Sequence, residues 1–415
     1  MRIAIIGGGP AGLMAAACLG GAAGVFERGG RPGRKLLLSG GGQCNITHSG
    51  GVGDFLPCYG GNGRFLKAAL YAFPPEALLG FFRGRGLDFI VREDGKIFPK
   101  TLNSASVLEA LLKAVRAADF HTSTKVTALR GVSGGFAIET AKETELEKKP
   151  LAEKKVYRAD KVILAAGGRS CPHTGSDGSG FALAQSLGHT IRWPKPALCG
   201  ILSPGFESLA GNSFRHTGVA VFRSENGGGG AGRLVLRGEG DLLFTHRGVS
   251  GPVILNLSRY IERGDTLAVN FLHPRNPEGF LQAFSAVVKK EPRKTAGTLL
   301  AAYSLTRALE DFILARASIP RSKTCATLTR AETRELARQL VRFPAPVAAT
   351  EDFHSAMTTA GGVSLDEVNP KTMESRIVPG LYFAGEILDI DGDEGGYNLQ
   401  AAFSTGYLAA QSLAL

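Results

Sequence analysis

Residues 3–12 read IAIIGGGPAG, a short apolar run that passes through three glycines into an alanine- and leucine-rich segment at 11–19. The apolar run predicts a strand, and the segment after the glycines predicts a helix. A second short apolar stretch at 24–27 ends on an acid. Together these predict a compact βαβ unit and hence a Rossmann-like α/β fold with a parallel sheet.

Gly7, Gly9 and Gly12 have the spacing of a dinucleotide-binding turn. In such a turn the first glycine allows the tight bend, the second lets a pyrophosphate approach, and the third lets helix pack on strand. The helix N-terminus offers free N–H groups and a favourable dipole to that anion. Glu27 lies 20 residues after Gly7, near the spacing at which an acid hydrogen-bonds ribose hydroxyls and disfavours a 2′-phosphate. The alternative is a turn that only connects strand and helix.

The composition is that of a globular protein of more than one domain. The chain has 415 residues, 44% hydrophobic and 20% charged, with 56 glycines, so two or three domains are expected. The net charge of +11 suits anionic ligands, but the basic residues form no aromatic-interleaved motif, so nucleic acid is an unlikely partner.

Cysteine usage and hydropathy favour a cytoplasmic protein. The six cysteines are far apart and form no C-x-x-C pair, which indicates reduced thiols. The apolar stretch at 1–6 is too short for a signal peptide, and no apolar run approaches the roughly 18 residues of a membrane helix. We therefore expect neither export nor membrane insertion.

Changes in composition and periodicity along the chain predict a nucleotide-binding domain that is interrupted by an insertion. Prolines and short alternating runs begin near Trp193, helical patterns follow from 277, and the strand and glycine pattern returns after Pro346. The predicted divisions are a first part of the nucleotide-binding domain at 1–192, an inserted β-rich domain at 193–276, a small helical subdomain at 277–345 and a last part of the nucleotide-binding domain at 346–415. Predicted elements include a helix at 105–118 with Ser104 as its N-cap, β-meander strands at 125–130, 136–140 and 156–164, helices at 281–290, 298–315 and 330–340, a strand at 380–385 and a helix at 399–413.

Three further segments favour FAD over NAD as the dinucleotide. The glycine-rich stretch at 33–45 could form a nest for phosphate or flavin carbonyl oxygens. The run at 162–168 predicts a buried strand that ends in small residues, although a plain core strand is nearly as good an interpretation. The segments 380–386 and 395–400 place an acid at a strand end and a helix N-terminus beyond it, which suits a ribityl hydroxyl and the N1/C2=O side of a reduced flavin.

Three long strings extend this interpretation. The strings GRKLLLSGGGQCNIT (33–47), FTHRGVSGP (244–252) and TTAGGVSLDEVNPKTMESRIVPGLYFAGEILDIDGDEGGYNLQAAFSTG (358–406) resemble the BaiN and aminoacetone oxidase type of NAD(P)/FAD-dependent oxidoreductases. The resemblance spans nearly the whole chain. It implies a glutathione-reductase-like FAD domain split by an inserted β-rich and helical module.

The resemblance also implies which residues contact FAD. Gly7, Gly9, Gly12 and Glu27 would hold the ADP half, with Pro10, Ala11, Arg28, Arg34 and Lys35 near the cofactor, Gly41, Gly42, Cys44 and Asn45 on the flavin side, Val126 at the adenine, Ala166 and Gly167 beside the pyrophosphate, and Gly385, Glu386, Asn398, Leu399 and Gln400 at the ribityl chain and isoalloxazine. Two departures matter. Gln43 stands where the family usually has an arginine, which puts an ionic contact in doubt, and the segment between Gly12 and Glu27 is shorter than usual, which makes the place of Glu27 less secure.

Other possible sites have weaker signals. The acids from Asp389 to Glu394 lack the glycine and the final glutamate of a calcium loop, so no metal site is predicted. Cys44 could be a flavin-proximal thiol of lowered pKa, or a packing cysteine. His246 has no spacing typical of a metal site or a catalytic triad but is the histidine most worth mutating.

The predicted function is hydride transfer between flavin N5 and an unidentified small molecule, with O2 or NAD(P)H as a second substrate. The motif at 175–180 has the wrong spacing for a second dinucleotide fingerprint, so any nicotinamide would visit the substrate cleft transiently. The alternatives are a flavin-dependent RNA-modifying enzyme and a non-catalytic flavin-bound protein. The sequence identifies neither the substrate nor the catalytic acid or base, and it gives no oligomeric state.

Overall fold

The computed structural model describes residues 2–115, 118–142, 154–224 and 232–414. Backbone contacts divide the chain into two compact units, one made of Met1–Ala197 with Phe353–Leu415 and the other of Leu198–Asp352. The strand Ile191–Ala197, which begins just before the predicted boundary at 193, pairs with Thr358–Val363 inside the first unit. The predicted four-part division stays a prediction.

The described strands and helices follow in chain order. The strands are β1 (Ile3–Ile6), β2 (Ala23–Phe26), β3 (Thr47–His48), β4 (Phe89–Val91), β5 (Lys96–Pro99), β6 (Asp119–His121), β7 (Thr124–Val132), β8 (Gly135–Lys142), β9 (Lys154–Ala159), β10 (Lys161–Leu164), β11 (Ile191–Ala197), β12 (Ile201–Leu202), β13 (Ser213–Arg223), β14 (Arg233–Thr245), β15 (Gly248–Ser250), β16 (Thr266–Asn270), β17 (Phe343–Pro346), β18 (Ala349–Thr350), β19 (Thr358–Val363) and β20 (Leu381–Phe383). The α-helices are α1 (Pro10–Leu19), α2 (Val52–Phe55), α3 (Gly63–Ala72), α4 (Pro75–Arg83), α5 (Ser104–Ala114), α6 (Ser179–Ser186), α7 (Pro252–Leu257), α8 (Pro277–Lys290), α9 (Ala296–Ala301), α10 (Arg307–Arg316), α11 (Arg330–Val341) and α12 (Tyr397–Ala414).

A five-stranded parallel sheet forms the centre of the first unit, in the order β20-β10-β1-β2-β6. All four residues of β1 are buried, as expected for a parallel strand covered on both faces. Helices α1 and α12 pack against each other and contribute to the same core. The predicted Rossmann-like fold is confirmed, and the last two elements of the chain, β20 and α12, complete it.

The run predicted as one strand at 156–164 forms parts of two strands that belong to different sheets. Strand β9 ends at Ala159 and pairs antiparallel with β8 in a three-stranded meander, whereas β10 starts at Lys161 and pairs parallel with β1 and β20. Asp160 lies between them, and its carboxylate accepts a 2.7 Å hydrogen bond from the backbone N–H of Arg2. The charged residues Asp160 and Lys161 mark this change in the sequence.

Helix α5 begins one residue earlier than predicted. Its N-cap is Asn103, whose side chain accepts from the Ala105 N–H at 2.9 Å. The predicted cap Ser104 instead donates its hydroxyl to the carbonyl of Leu37 at 2.8 Å. Both are good capping residues by type, so the tertiary partner of Ser104 decided between them. The helix ends at Ala114, and residues 116 and 117 of the prediction lie outside the described part.

The second unit is built on a seven-stranded sheet in the order β17-β16-β13-β14-β15-β12-β18. Phe244 of the sheet and Phe284 and Leu336 of helices α8 and α11 belong to one buried cluster. The helix predicted at 298–315 is two helices, α9 and α10, because Thr306 caps the start of the second by accepting from the Leu309 N–H. In the described part of the chain, no helix is both long and apolar enough to cross a bilayer.

Candidate functional site

The turn between β1 and α1 is shaped for a close ligand. A methyl group on Gly7 would lie 2.4 Å from the Ala165 carbonyl oxygen, and one on Gly12 would lie 2.0 Å from the Gly7 carbonyl oxygen, so both positions require glycine for packing. At Gly9, no described atom lies within 4 Å of the place a methyl group would take. Gly9 is also the N-cap residue of α1, and no side chain accepts a hydrogen bond from the first N–H groups of this helix. The turn therefore presents open space in front of free helix N–H groups, as a pyrophosphate needs.

Glu27 follows β2 and holds two turns together. Its Oε2 accepts from the Gly8 N–H at 2.9 Å, and its Oε1 accepts from the Gly29 N–H at 2.6 Å. Burial raises the pKa of Glu27, although these amides partly oppose the rise. The neighbouring Arg28 forms an ion pair with Asp177 in the loop before α6. The acid thus lies next to the glycine turn despite the short segment that precedes it.

Lys35 lies at the centre of a polar network. Its ammonium is 2.6 Å from Glu386 Oε2 and donates to Ser170 Oγ at 2.5 Å. Glu386 Oε1 accepts from the Ser170 hydroxyl at 2.9 Å and from the Thr359 N–H at 3.0 Å. The Thr359 hydroxyl oxygen accepts from the N–H groups of Arg169 and Ser170. Residues from four distant segments therefore fix the predicted pair Lys35 and Glu386 in one place.

The glycine stretch before Cys44 forms an irregular turn. Gly40, Gly41 and Gly42 have φ values of +56°, +63° and +87°, which side chains rarely adopt. No described atom lies within 4 Å of a methyl group placed on Gly41 or Gly42. This stretch offers exposed backbone to a ligand, as a nest does.

Asn45 and Gln43 have protein partners next to this turn. With its amide oxygen towards Gly396, Asn45 accepts from the Gly396 N–H at 3.2 Å and donates to the Thr47 carbonyl at 2.9 Å. Gln43, which replaces the family arginine, accepts from Arg92 at 2.6 Å, and the Arg92 guanidinium lies 3.8 Å from the centre of the Phe98 ring. Arg92 thus places a positive charge next to Gln43, at the position where the family usually has an arginine.

Cys44 is a packing cysteine. Its side chain is fully buried, and burial raises its pKa to about 12. A thiol of such a pKa carries almost no thiolate at neutral pH, so the alternative of an activated flavin-proximal thiol is wrong.

We expect Cys44 to resist alkylation in the folded protein. At pH 8, a rise of its pKa from 9.0 to about 12 lowers the thiolate fraction by roughly a thousandfold. Mass spectrometry after iodoacetamide treatment should show Cys44 unmodified natively and modified in urea. Native alkylation at the rate of an unfolded cysteine would contradict this expectation.

The closing segment meets the first turn. A methyl group on Gly385 would lie 2.8 Å from the Ala11 Cβ, and one on Gly406 would lie 2.3 Å from the Ala11 carbonyl oxygen. Asn398 lies in the first turn of α12, and its side chain both accepts from and donates to the backbone of Gly392. The middle of α12 and the segment just after β20 therefore lie against the start of α1, and Glu386 directly follows Gly385 in that segment.

Gln400 is buried, and its side chain is occupied within the protein. Its amide nitrogen donates to the Phe73 carbonyl and the Ser404 hydroxyl, and its oxygen accepts from the Thr47 hydroxyl. Any contact with a cofactor would involve the backbone, as would a contact of the neighbouring half-buried Leu399.

The other residues predicted to contact the cofactor lie in the first unit as well. Val126 is buried in β7 next to a bulge, and Ala166 packs near Gly180 of α6. Gly167 has a φ of +76° just after β10, Pro10 opens α1, and Arg34 contributes positive charge near Glu27. His246 is exposed at the turn between β14 and β15 of the second unit. These cofactor contacts stay predictions, but the residues present fit an FAD: an open glycine turn, a helix N-terminus and a strand-end acid.

Sequence reasoning missed Ser170, Thr359 and Asp177, which hold the predicted residues in place. No local motif marks them, because each has a hydrogen-bond partner more than 100 residues away in the chain. A second missed cluster, Ser375, His189 and Glu367, has the order of a catalytic triad: Ser375 Oγ is 2.9 Å from His189 Nε2, and His189 Nδ1 is 3.0 Å from Glu367. Ser375 Oγ already accepts from the Ile377 and Val378 N–H groups, so this cluster is structural.

We expect this histidine to make stability depend on pH. Burial lowers the pKa of His189 below its ordinary 6.5, although the Glu367 carboxylate partly opposes this. Near pH 6.5 the histidine therefore becomes protonated in the unfolded chain but stays neutral in the folded chain. The free energy of unfolding should then fall as the pH drops below about 6.5. Urea unfolding between pH 5 and 8 measures this. The His189→Gln variant should show a flatter profile, and an identical profile would assign the effect elsewhere.

The acidic loop predicted to hold no metal lies between β20 and α12. Burial raises the pKa of Asp389, and Asn62 donates to the Asp389 carbonyl at 2.7 Å. Within the described ranges, no group of three or more His, Cys, Asp or Glu side chains is arranged to hold a metal ion.

Comparison with known proteins gives a consistent result. Residues 1–412 match the HI0933-like protein Rossmann domain family. The chain is 33% identical to the 3-dehydro-bile acid delta(4,6)-reductase of Clostridium scindens, over 100% of this chain and 99% of that protein. It is 30% identical to the ribosomal RNA dihydrouridine synthase of Escherichia coli, over 99% and 97%. A solved structure of Escherichia coli quinol fumarate reductase FrdA has a similar fold, with a TM-score of 0.50, 16% identity and coverage of 99% of this chain and 69% of that chain.

Proposed function

Since this chain belongs to the HI0933-like Rossmann-domain family, a family of FAD-binding oxidoreductases, we propose that it reduces a carbon–carbon double bond conjugated to a carbonyl group in a small molecule. Bound FAD would supply the hydride from N5. The observation that carries the cofactor part is the open Gly9 turn at the α1 N-terminus, with the Lys35 and Glu386 pair beside it.

The names of two relatives support the substrate class. A 3-dehydro-bile acid with double bonds at positions 4 and 6 is a conjugated ketone, and its reductase adds hydrogen to such a bond. Conversion of uridine to dihydrouridine also adds two hydrogens to a double bond conjugated to a carbonyl. We infer that this chain carries out the same type of reaction, because both relatives match it over nearly their whole length.

The chain's own residues would bind and orient the reactants. The α1 N-terminus and the Gly9 turn would hold the pyrophosphate, and the N-terminus of α12 would stabilise negative charge on the flavin. Lys35 would offset the charge of Glu386 beside this anionic ligand. Reduction needs an electron donor, and we propose NAD(P)H, which becomes NAD(P)+ as a hydride and a proton add across the double bond; O2 is the alternative partner for the reduced enzyme.

The experiment begins with the absorbance spectrum of the purified protein, which we expect to show flavin bands. Anaerobic mixing with NADH and with NADPH should bleach those bands, and a conjugated enone such as a steroid 4-en-3-one should then restore them. The matched alcohol with an isolated double bond is the control and should leave the flavin reduced. Bleaching without reoxidation by any enone would refute the substrate class, and a flavin that no donor reduces would favour the non-catalytic alternative.

Charge favours RNA as a second candidate substrate. The sequence of 198–352 contains 20 Lys and Arg against 14 Asp and Glu, and one relative is a ribosomal RNA enzyme by name. An RNA substrate would bind with an affinity that falls steeply as salt rises. Binding of ribosomal RNA fragments between 50 and 200 mM salt, roughly the range over which such contacts weaken by orders of magnitude, separates the two candidates. In the described part of the chain, no disulfide joins any of the six cysteines, which agrees with the cytoplasmic location that we propose.

A further inference from the structure

Ser176 has a buried hydroxyl without a protein partner. The residue is 8% exposed, and within the described ranges its Oγ makes no hydrogen bond. Most buried hydroxyls in native proteins are paired, because an unpaired one costs the free energy of its lost hydration. An exception therefore needs a reason, and an absent ligand is one.

The hydroxyl lies beside the carboxyl end of the parallel sheet. A methyl group on Gly167, just after β10, would lie 3.1 Å from Ser176 Oγ. The same strand end borders the first glycine turn, since a methyl group on Gly7 would meet Ala165 and Ala166. In open α/β sheets, ligands bind in the crevice outside the carboxyl ends of the strands. Ser176 thus faces the region in which the glycine turn and the predicted pyrophosphate contacts lie.

Polar contacts fix the loop of Ser176 on both sides. Asp177 forms an ion pair with Arg28, which follows the acid after β2. The other oxygen of Asp177 accepts from the Ser179 N–H at 3.0 Å, at the start of α6. The loop is thereby held against the segment that carries Glu27.

We propose that Ser176 Oγ donates a hydrogen bond to an oxygen of the pyrophosphate or ribityl part of FAD. The inference rests on FAD binding by this family and adds a contact that no glycine motif indicates. It makes Ser176 a binding residue whose hydroxyl is unsatisfied until the cofactor arrives. Loss of the hydroxyl should therefore lower the affinity for FAD without lowering the stability of the apoprotein.

The test compares Ser176→Ala with Ser186→Ala and Ser176→Thr in the full chain. Each protein is deflavinated, its urea midpoint is measured, and FAD is titrated back with flavin fluorescence or calorimetry as the readout. For Ser176→Ala we expect a Kd for FAD about tenfold higher, with a urea midpoint of the apoprotein equal to or above that of the wild type. Ser186 donates its hydroxyl to the Leu183 carbonyl within α6, so its variant should keep the wild-type Kd. Ser176→Thr retains the hydroxyl and should keep most of the affinity.

Two results would overturn the inference. If Ser176→Ala lowers the urea midpoint and leaves the Kd unchanged, the hydroxyl has a structural role. If both quantities are unchanged while the wild type binds FAD, the hydroxyl contacts no part of the cofactor, and the proposed function stands. A wild-type apoprotein that does not bind FAD at all would instead remove the proposed function together with this contact.

Discussion

Replacing Gly9 by alanine should leave the protein folded and reduce its affinity for FAD by about a hundredfold or more. Gly9 has φ −81° and ψ −177°, which alanine adopts without strain. A methyl group at this position would meet no described atom within 4 Å, so the protein tolerates it. The same methyl group would occupy the space in which a pyrophosphate approaches the helix N-terminus, where the second glycine of the fingerprint is needed. A calorimetric FAD titration and a urea unfolding curve measure the two effects.

The control for this variant is Gly80→Ala. Gly80 lies within α4, and a methyl group there would also meet no described atom within 4 Å. That variant should keep the FAD affinity and gain up to about 1 kcal/mol of stability, because alanine is the better helix former. Gly12→Ala should behave oppositely to Gly9→Ala and lose stability, since its methyl group would lie 2.0 Å from the Gly7 carbonyl oxygen. A Gly9→Ala protein that binds FAD as the wild type does would mean that the pyrophosphate lies elsewhere.

Separating Lys35 from Glu386 should destabilise the protein and weaken cofactor binding. Their side chains are 24% and 20% exposed, so removal of one leaves the other as a partly buried charge without its partner. We expect Lys35→Met and Glu386→Gln each to lower the free energy of unfolding by about 2 kcal/mol. Lys35→Met should also raise the Kd for FAD at least about tenfold, because the remaining carboxylate would repel an anionic ligand.

The double variant decides whether the pair acts as a unit. Since Lys35→Met with Glu386→Gln removes both charges, its stability loss should be clearly smaller than the two single losses added together. Lys100→Met is the control: its ion pair with Asp88 is 60% and 63% exposed, so its loss should change stability by less than about 0.5 kcal/mol. Additive losses for Lys35 and Glu386 would show that the two groups stabilise the fold independently.

The sequence predicted the parts of the fold that local patterns determine. The β1 run, the glycine turn and α1 were placed to within a residue because a fully apolar run, a glycine spacing and an alanine-rich segment each have one good structural interpretation. The same kinds of pattern predicted a return of the first fold after Pro346, and the first unit resumes at Phe353. The splits between β9 and β10 and between α9 and α10 were missed because each break is short and the sequence does not show that the strands or helices on its two sides have different partners.

The candidate site divides in the same way. The spacing of Gly7, Gly9 and Gly12 is a motif that can be read directly from the sequence. The support of the site, by contrast, comes from pairs such as Ser170 with Glu386, which are 216 positions apart. Ordinary serines and threonines carry no signal of such a partner. For Cys44 the sequence left two interpretations open, an activated thiol and a packing cysteine, and the full burial that raises its pKa favours the second.

The position of β20 in the sheet has a consequence for biosynthesis. Strand β20 pairs with β10 and lies far along the chain from it, after the second unit. While the ribosome is still producing the second unit, β10 has β1 on one side and an open row of backbone groups on the other, an exposed edge that can recruit foreign strands. The first unit therefore needs protection until residues 353–415 have also been synthesised. Insertion of the cofactor would then be a late event that seals the sheet.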